Sequence, residues 1–263
     1  MSMNPRDWVD QFYEWHLENQ CTHIPRHIAL IQDGNRRYAK EKGIDVAVGH
    51  RLGAMTTEKM LDWVHELGIE HITLYSFSTE NFNRSEEELS ELFLLFKEKF
   101  LKVATDERVH KYGIRVQMIG DRSLIPPDIL ATIDEAEAAT KDYSNFYMNI
   151  AIAYGGRNEI VLAIKSVLEE VEAGTLTPDA IDVEAISRHL HEGMELPPVD
   201  LIIRTGNERR TSNFLPWIAN GNESAVYFCA PYWPGFRKID LLRGIRLFDQ
   251  RIKAAERSGA VPV

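Results

Sequence analysis

The stretch HIALIQDGNRRYAKEKG, residues 27–43, decides how the rest of the chain is read. Four consecutive apolar residues, Ile28, Ala29, Leu30 and Ile31, lead through Gln32 into an acid, a glycine, an asparagine and two arginines. That order describes a buried strand that ends in a tight turn, with a helix starting at once. Gly34 permits the turn, and the free N–H groups of Asn35 to Tyr38 at the helix N-terminus make a cradle for an anion. Arg36 and Arg37 add charge-assisted donors suited to phosphate oxygens. Asp33 has only acceptor oxygens and repels a phosphate unless a cation lies between them. A hard ion such as Mg²⁺, held by one or two carboxylates plus phosphate oxygens, reconciles the two. A helix-capping aspartate beside surface arginines accounts for the same residues, so this stretch alone leaves both readings open.

Working outward, similar short apolar runs predict strands at 28–32, 72–77, 114–119, 147–153, 201–203 and 225–228. Helical patterns separate them at 38–42, 55–67, 85–110, 127–141, 159–172 and 183–191, and one more follows at 240–255. Several strands are apolar on both faces, as in a parallel sheet covered on each side. The βαβα order predicts one α/β domain over residues 1–263, with a central, mostly parallel six-stranded sheet and helices on both faces. A helical extension at about 1–22 precedes it. Ligands of open α/β sheets settle beyond the carboxyl ends of the strands. The polar segments 33–37, 78–81, 120–122, 154–157 and 204–206 are therefore expected on one rim.

The chain of 263 residues is 44% hydrophobic, enough for one large core, and carries a formal charge of −10. A general nucleic-acid surface is disfavoured, because such binding requires many Lys and Arg to neutralise phosphates. Basic residues are nonetheless dense at 35–37 and 204–210, which points to a small anionic ligand. The two cysteines, Cys21 and Cys229, fit no CxxC spacing, so a reducing cytoplasm is expected rather than a zinc site or disulfide framework. No apolar run reaches the ~20 residues that span a bilayer, and the N-terminus does not resemble a signal peptide. The segment WVDQFYEWHLE, residues 8–18, sets Trp8, Phe12 and Trp15 on one face. Its acidic residues oppose docking on anionic lipid by charge, leaving packing on the domain or a loose membrane contact.

Two further segments supply polar chemistry. In TLYSFSTENFNR, residues 73–84, a strand delivers Ser78, Glu80, Asn81 and Arg84. Ser85 is expected to cap the next helix, with Glu88 completing a capping box and Arg84 left free. In VDLIIRTGNERRTSNF, residues 199–214, Arg204, Arg209, Arg210 and Ser212 fall close together. Guanidinium groups so packed repel one another unless an anion gathers them, and a diphosphate would do so. A solvated basic loop is the alternative.

With Gly49-His50, NIAIAYGGRNEI and the YWP of residues 232–234, these segments resemble the cis-prenyltransferases, the undecaprenyl and dehydrodolichyl diphosphate synthase family, over residues 27–234. DGNRRYA is closer to the eukaryotic and archaeal branch. The resemblance implies that isopentenyl diphosphate condenses onto an allylic prenyl diphosphate with release of pyrophosphate, giving a polyprenyl diphosphate for a glycosyl-carrier lipid. It implies catalytic roles for Asp33, His50 and Asn81, and a Mg²⁺ site at Asp33 and Glu223. Gly34, Asn35, Arg36, Arg37 and Arg84 would hold the allylic diphosphate, and Arg204, Arg210 and Ser212 the isopentenyl diphosphate. Tyr38, Ser78, Glu80 and Phe82 complete the implied substrate contacts. The family's homodimer is implied too, with Arg257-Ser258-Gly259 reaching the partner's site. Leu89, Leu92, Phe93, Leu95, Phe96, Phe100 and Leu101 read as core by themselves, whereas the corresponding family helix walls an apolar tunnel that limits product length.

Three departures stand out: Val46 where the family usually has Arg, Gln32 where it has Met, and two extra residues after Glu223. An irregular prenyl condensation therefore stays open. So does a phosphohydrolase using Asp33 as nucleophile, although such enzymes commonly place a second Asp where this chain has Asn35. Non-catalytic partner subunits of the family tend to lack the aspartate and arginine motifs that this chain keeps.

Overall fold

The computed structural model describes residues 5–219 and 224–259. The chain opens with α1 (Pro5–Gln20), β1 (His27–Ile31), α2 (Asn35–Lys42) and α3 (Val46–Glu66). It continues through β2 (His71–Ser78), a 3₁₀ turn at Thr79–Asn83, α4 (Glu86–Val103) and α5 (Glu107–Tyr112). Next come β3 (Ile114–Ile119), α6 (Pro127–Thr140), β4 (Phe146–Tyr154), α7 (Gly156–Glu172) and α8 (Val183–Ser187). Two short strands, β5 (Leu201–Arg204) and β6 (Ala225–Phe228), and the long α9 (Lys238–Ser258) complete it. The six strands form one sheet in the order β3-β4-β2-β1-β5-β6, with every pairing parallel. This is the expected single α/β architecture, and all six predicted strands are present.

All five residues of β1 are buried, because each face of the sheet has its own cover. Alternation along the strand sends Ile28 and Leu30 to one layer, with Met60, Leu74 and Val116, and sends Ala29 and Ile31 to the other, with Ile202, Phe214 and Leu215. A continuous apolar run is what such a strand requires. At its start His27 is fully buried, with ring nitrogens 2.8 Å from the Pro197 carbonyl and from Thr73 Oγ1. Burial pushes its pKa down to about 3. The N-terminal extension packs on α9 through Leu17 against Ile239 and Leu242. Asp249 of α9 then accepts the Thr22 and His23 amides and fixes the chain's entry to the sheet.

Three helical boundaries differ from expectation. The stretch 85–110 is two helices, because Asp106 caps the second by accepting the Arg108 amide. The helix expected at 55–67 begins at Val46, where Asp45 caps it by accepting the Ala47 amide. Gly49 and Gly53 fall within it at positions of close helix packing. The pattern at 183–191 yields only the short α8 and a 3₁₀ turn at Leu190–Gly193.

Candidate active site

The carboxyl ends of β1, β2 and β5 surround a cavity of about 980 Å³. Its lining includes Asp33, Gly34, Asn35, Arg36 and Arg37 from β1 and α2, and Ser78, Glu80, Asn81 and Arg84 after β2. Arg204, Arg210 and Ser212 from β5 and its loop face the same space, as does His50 of α3. Residues separated by up to 179 positions thus share one wall, because β2, β1 and β5 are adjacent in the sheet. The expected common rim is only partly realised. Segments 120–122 and 154–157 lie outside the lining, since β3 is the edge strand and β4 its neighbour. Arg122 pairs there with Asp134 and Glu137. The 154–157 segment braces the site from behind: the Arg157 amide donates to Asn213 Oδ1, and Asn213 donates to Glu80.

At the β1–α2 junction Gly34 has φ 112°, and a Cβ there would meet the Tyr232 ring at 2.6 Å. Only glycine meets both demands. Lacking a capping side chain, Gly34 leaves the first N–H groups of α2 without a side-chain acceptor at the cavity edge. Tyr232 also lies under the Arg37 guanidinium, 5.3 Å from ring centroid to Cζ. Next to it, Trp233 donates from Nε1 to the Gly53 carbonyl at 2.8 Å and from its amide to the Asp33 carbonyl at 3.0 Å. The YWP motif is therefore the back wall of the junction.

Three carboxylates pair with the cations of the cavity wall: Asp33, which lines it, and Glu208 and Glu88, which stand outside the lining. Asp33 Oδ2 accepts from Arg204 Nη2 at 2.7 Å, and its Oδ1 accepts from Arg37 Nη2 at 3.0 Å. Arg204, only 5% exposed, also donates to Ser212 Oγ and the Arg210 carbonyl. Glu208 bridges Arg37 and Arg210. The third carboxylate is Glu88, whose Oε1 lies 2.9 Å from Arg84 Nη1, 3.2 Å from His50 Nε2 and 3.7 Å from Arg36 Nε. Ser85 does cap α4, accepting the Glu88 amide, but the Glu88 side chain pairs with Arg84 and His50 rather than completing a capping box, and Arg84 is not left free. The Arg84–Glu88 spacing of i to i+4 was the sequence signal for this pair. A capping box forms one turn earlier, between Ser78 and Asn81. Burial pushes the His50 pKa down despite the hydrogen bond to Glu88, so the ring is held neutral.

Two expected site residues lie outside the cavity lining: Tyr38 stacks under Lys42, and Phe82, partly buried, packs edge-on to Phe77 against the core. Glu223 lies outside the described residues. Two of the sequence departures do line the cavity: Val46, and Gln32, which donates to Thr57 and accepts from Ser76. Lys40 lines it as well and was not singled out beforehand.

A second cavity, about 150 Å³ and mostly apolar, adjoins the first. The two share Gln32, Asn35, His50 and Ser76 as a common neck. Asn35 Oδ1 is buried there with no hydrogen-bond partner among the described residues. From the neck the apolar space runs between α3 and α4, past Leu92, Leu95, Phe96 and Phe100.

An α/β sheet bearing a cluster of arginines at its switch region, joined to an apolar channel, defines a protein that handles an anionic head carrying an apolar chain. The comparisons specify the class further. Residues 31–256 match the family model described as "Putative undecaprenyl diphosphate synthase". A Methanosarcina mazei protein named tritrans,polycis-undecaprenyl-diphosphate synthase (geranylgeranyl-diphosphate specific) is 49% identical over 93% of this chain and 84% of its own length. A Halobacterium salinarum protein of the same name is 47% identical over 95% and 83%. Among solved structures, lavandulyl diphosphate synthase from Lavandula x intermedia, in complex with dimethylallyl diphosphate, superposes with a TM-score of 0.79. It is 32% identical, over 86% of this chain and 95% of that one. The chain belongs to the undecaprenyl diphosphate synthase family of cis-prenyltransferases.

Proposed function

We propose that the protein adds isopentenyl units to geranylgeranyl diphosphate, releasing pyrophosphate and leaving a cis double bond at each step, to give a polyprenyl diphosphate for a glycosyl-carrier lipid. The observation that carries this reading is the shared neck. A cavity ringed by Arg36, Arg37, Arg84, Arg204 and Arg210 opens directly onto an apolar channel, so one ligand can bury a diphosphate and a hydrocarbon chain together. The archaeal relatives' names support geranylgeranyl diphosphate as the primer.

In this mechanism the α2 amides, Arg36, Arg37 and Arg84 hold the allylic diphosphate, while Arg204, Arg210 and Ser212 hold isopentenyl diphosphate. The allylic C1–O bond breaks, its electron pair leaves with pyrophosphate, and the homoallylic double bond bonds to C1. Loss of a proton then forms the new double bond. Guanidinium groups fixed before reaction stabilise the charge that grows on the leaving oxygens. Lys40 also lines this cavity and adds a cation to it.

Asp33 fits a Mg²⁺ role, because a carboxylate facing a diphosphate cradle suits an ion that keeps waters and phosphate oxygens as its other ligands. No cluster of three or more metal-ligating side chains occurs among the described residues. When bound, Mg²⁺ neutralises charge on the diphosphate; Glu223 is a further proposed ligand.

A homodimer belongs to the same reading. Val161, Ile164 and Leu168 form an exposed apolar stripe on α7, suited to a second copy, and exposed Arg257 stands at the end of α9. Sedimentation should give twice the chain mass. A cytoplasmic setting accords with two unpaired thiols, and no described helix is long and apolar enough to cross a membrane.

Labelled isopentenyl diphosphate supplied with geranylgeranyl diphosphate and Mg²⁺ tests the reaction. Label should enter butanol-extractable product and stay out of it after chelation. Asp33→Asn should lower the rate by about 10²–10³-fold, the usual cost of losing a preorganised charge-stabilising group. Release of inorganic phosphate with no extractable label would count for a phosphohydrolase instead.

A further inference from the structure

The far part of the apolar channel carries charge. Both lining helices start at the polar cavity and run away from it, from His50 to Leu61 in α3 and from Leu92 to Val103 in α4. At 1.5 Å per residue the α4 wall is about 16 Å long. Toward its far end the lining mixes Leu61, Phe100, Val103 and Val109 with the charged Glu58, Lys99, Lys102, Asp106 and Arg108. These side chains are bonded to one another across three helices. Glu58 of α3 takes Lys99 Nζ at 2.6 Å, Lys102 Nζ at 3.6 Å and Arg108 Nη2 at 3.7 Å. Arg108 of α5 also pairs with Asp106 at 2.8 Å and donates to the Glu58 carbonyl at 3.1 Å.

Resting on the prenyl-chain reading of the channel, we propose that this ion-pair cluster, centred on Glu58, is the stop that sets product length. An apolar chain that reaches it meets bonded charges among the remaining apolar wall residues. To grow past, it must part α3 from α4 there, where Glu58 ties Lys99 and Lys102 of α4 to α3. The lysine and arginine stems are apolar and their heads reach water, so the cluster can swing outward without stranding a buried charge. Glu58 is 28% exposed and Lys99 36%, so added salt reaches the pair and weakens it. The stop is therefore electrostatic and adjustable, unlike a rigid apolar floor.

The experiment is the product-length distribution of the intact wild-type enzyme as ionic strength rises. From about 0.1 M to about 1 M salt the Debye length falls from about 10 Å to about 3 Å. The distribution should move to longer products by at least one isoprene unit. A distribution that does not move overturns the proposal. Glu58→Gln removes the common partner of three cations, and Lys99→Met keeps the stem while removing the head. Each should give the longer products at low salt and lose the salt response; wild-type lengths from both variants would also overturn it. Absence of any extractable labelled product from the wild type would instead defeat the prenyltransferase reading itself, and that outcome is read in the same assay by total incorporation.

Discussion

Arg204 shows how one side chain serves both stability and the proposed chemistry. It is nearly fully buried at the end of β5, and its charge is answered by Asp33 at 2.7 Å and by Ser212 Oγ at 2.6 Å. Arg204→Ala should raise the KM for isopentenyl diphosphate, because truncating one partner of a desolvated charge pair costs roughly 2–5 kcal/mol. Initial rates at varied isopentenyl diphosphate check this, and an unchanged KM would move that subsite elsewhere. Glu88 makes a different prediction. It holds Arg84 and His50 in place, yet its negative charge opposes the allylic diphosphate. Glu88→Gln should lower kcat about tenfold or more, since hydrogen bonds to charged groups are worth about 1.5–3 kcal/mol. The allylic KM should stay level or fall. A raised KM with normal kcat would make Glu88 a plain binding residue. Of these two, Arg204 was legible in sequence as part of a crowded basic motif. Glu88 was not, because Ser85 offered a competing local partner for the same side chain.

At the scale of elements, α3 is where local reading and packing disagree. Gly53 lowers helix propensity, yet the helix runs through it because Asn35 and Trp233 approach its backbone. A Cβ at Gly53 would lie 2.4 Å from Asn35 Oδ1 and 3.0 Å from Trp233 Cδ1. Gly53→Ala should therefore push the flexible Asn35 amide out of the neck. Turnover should drop about tenfold while the melting temperature moves by only a few degrees, because Ala improves the helix by about 1 kcal/mol and offsets part of the strain. Kinetics and a thermal melt on the same sample check this; full activity would show that Asn35 does not depend on close packing at Gly53. The break between α4 and α5 has a similar origin. Apolar periodicity continues across it, but the Asp106 cap is a short-range bond that periodicity does not report.

For the whole molecule, buried neutral histidines set the response to acid. Burial lowers the pKa of His27, His50 and His71 from the ordinary 6.5, in His27 to about 3. Unfolded chains take up these protons below pH 6.5 and the folded protein does not, so stability is present above that pH and is lost as pH falls toward 3. His27 alone contributes about 2 kcal/mol of loss by pH 5, at about 1.4 kcal/mol per pH unit. Calorimetric melting should show a decline between pH 7 and pH 5, before most carboxylates titrate. A flat profile over that window would mean that the histidines charge while folded.

What the sequence determined by itself was the set of strands, their parallel pairing, and the identity of most cavity-lining residues. Strand periodicity and the Asp-Gly-Asn-Arg-Arg turn are local properties, written in neighbouring residues. Tertiary structure alone decided which rim segments meet, since strand order puts β2, β1 and β5 together and leaves β3 at the edge. It also decided that Glu88 pairs with Arg84 and His50, that Gly53 is helical, and that a salt-bridged cluster lies along the far part of the apolar channel. Each of these depends on contacts between residues far apart in the chain, whose free energies no single stretch of sequence contains.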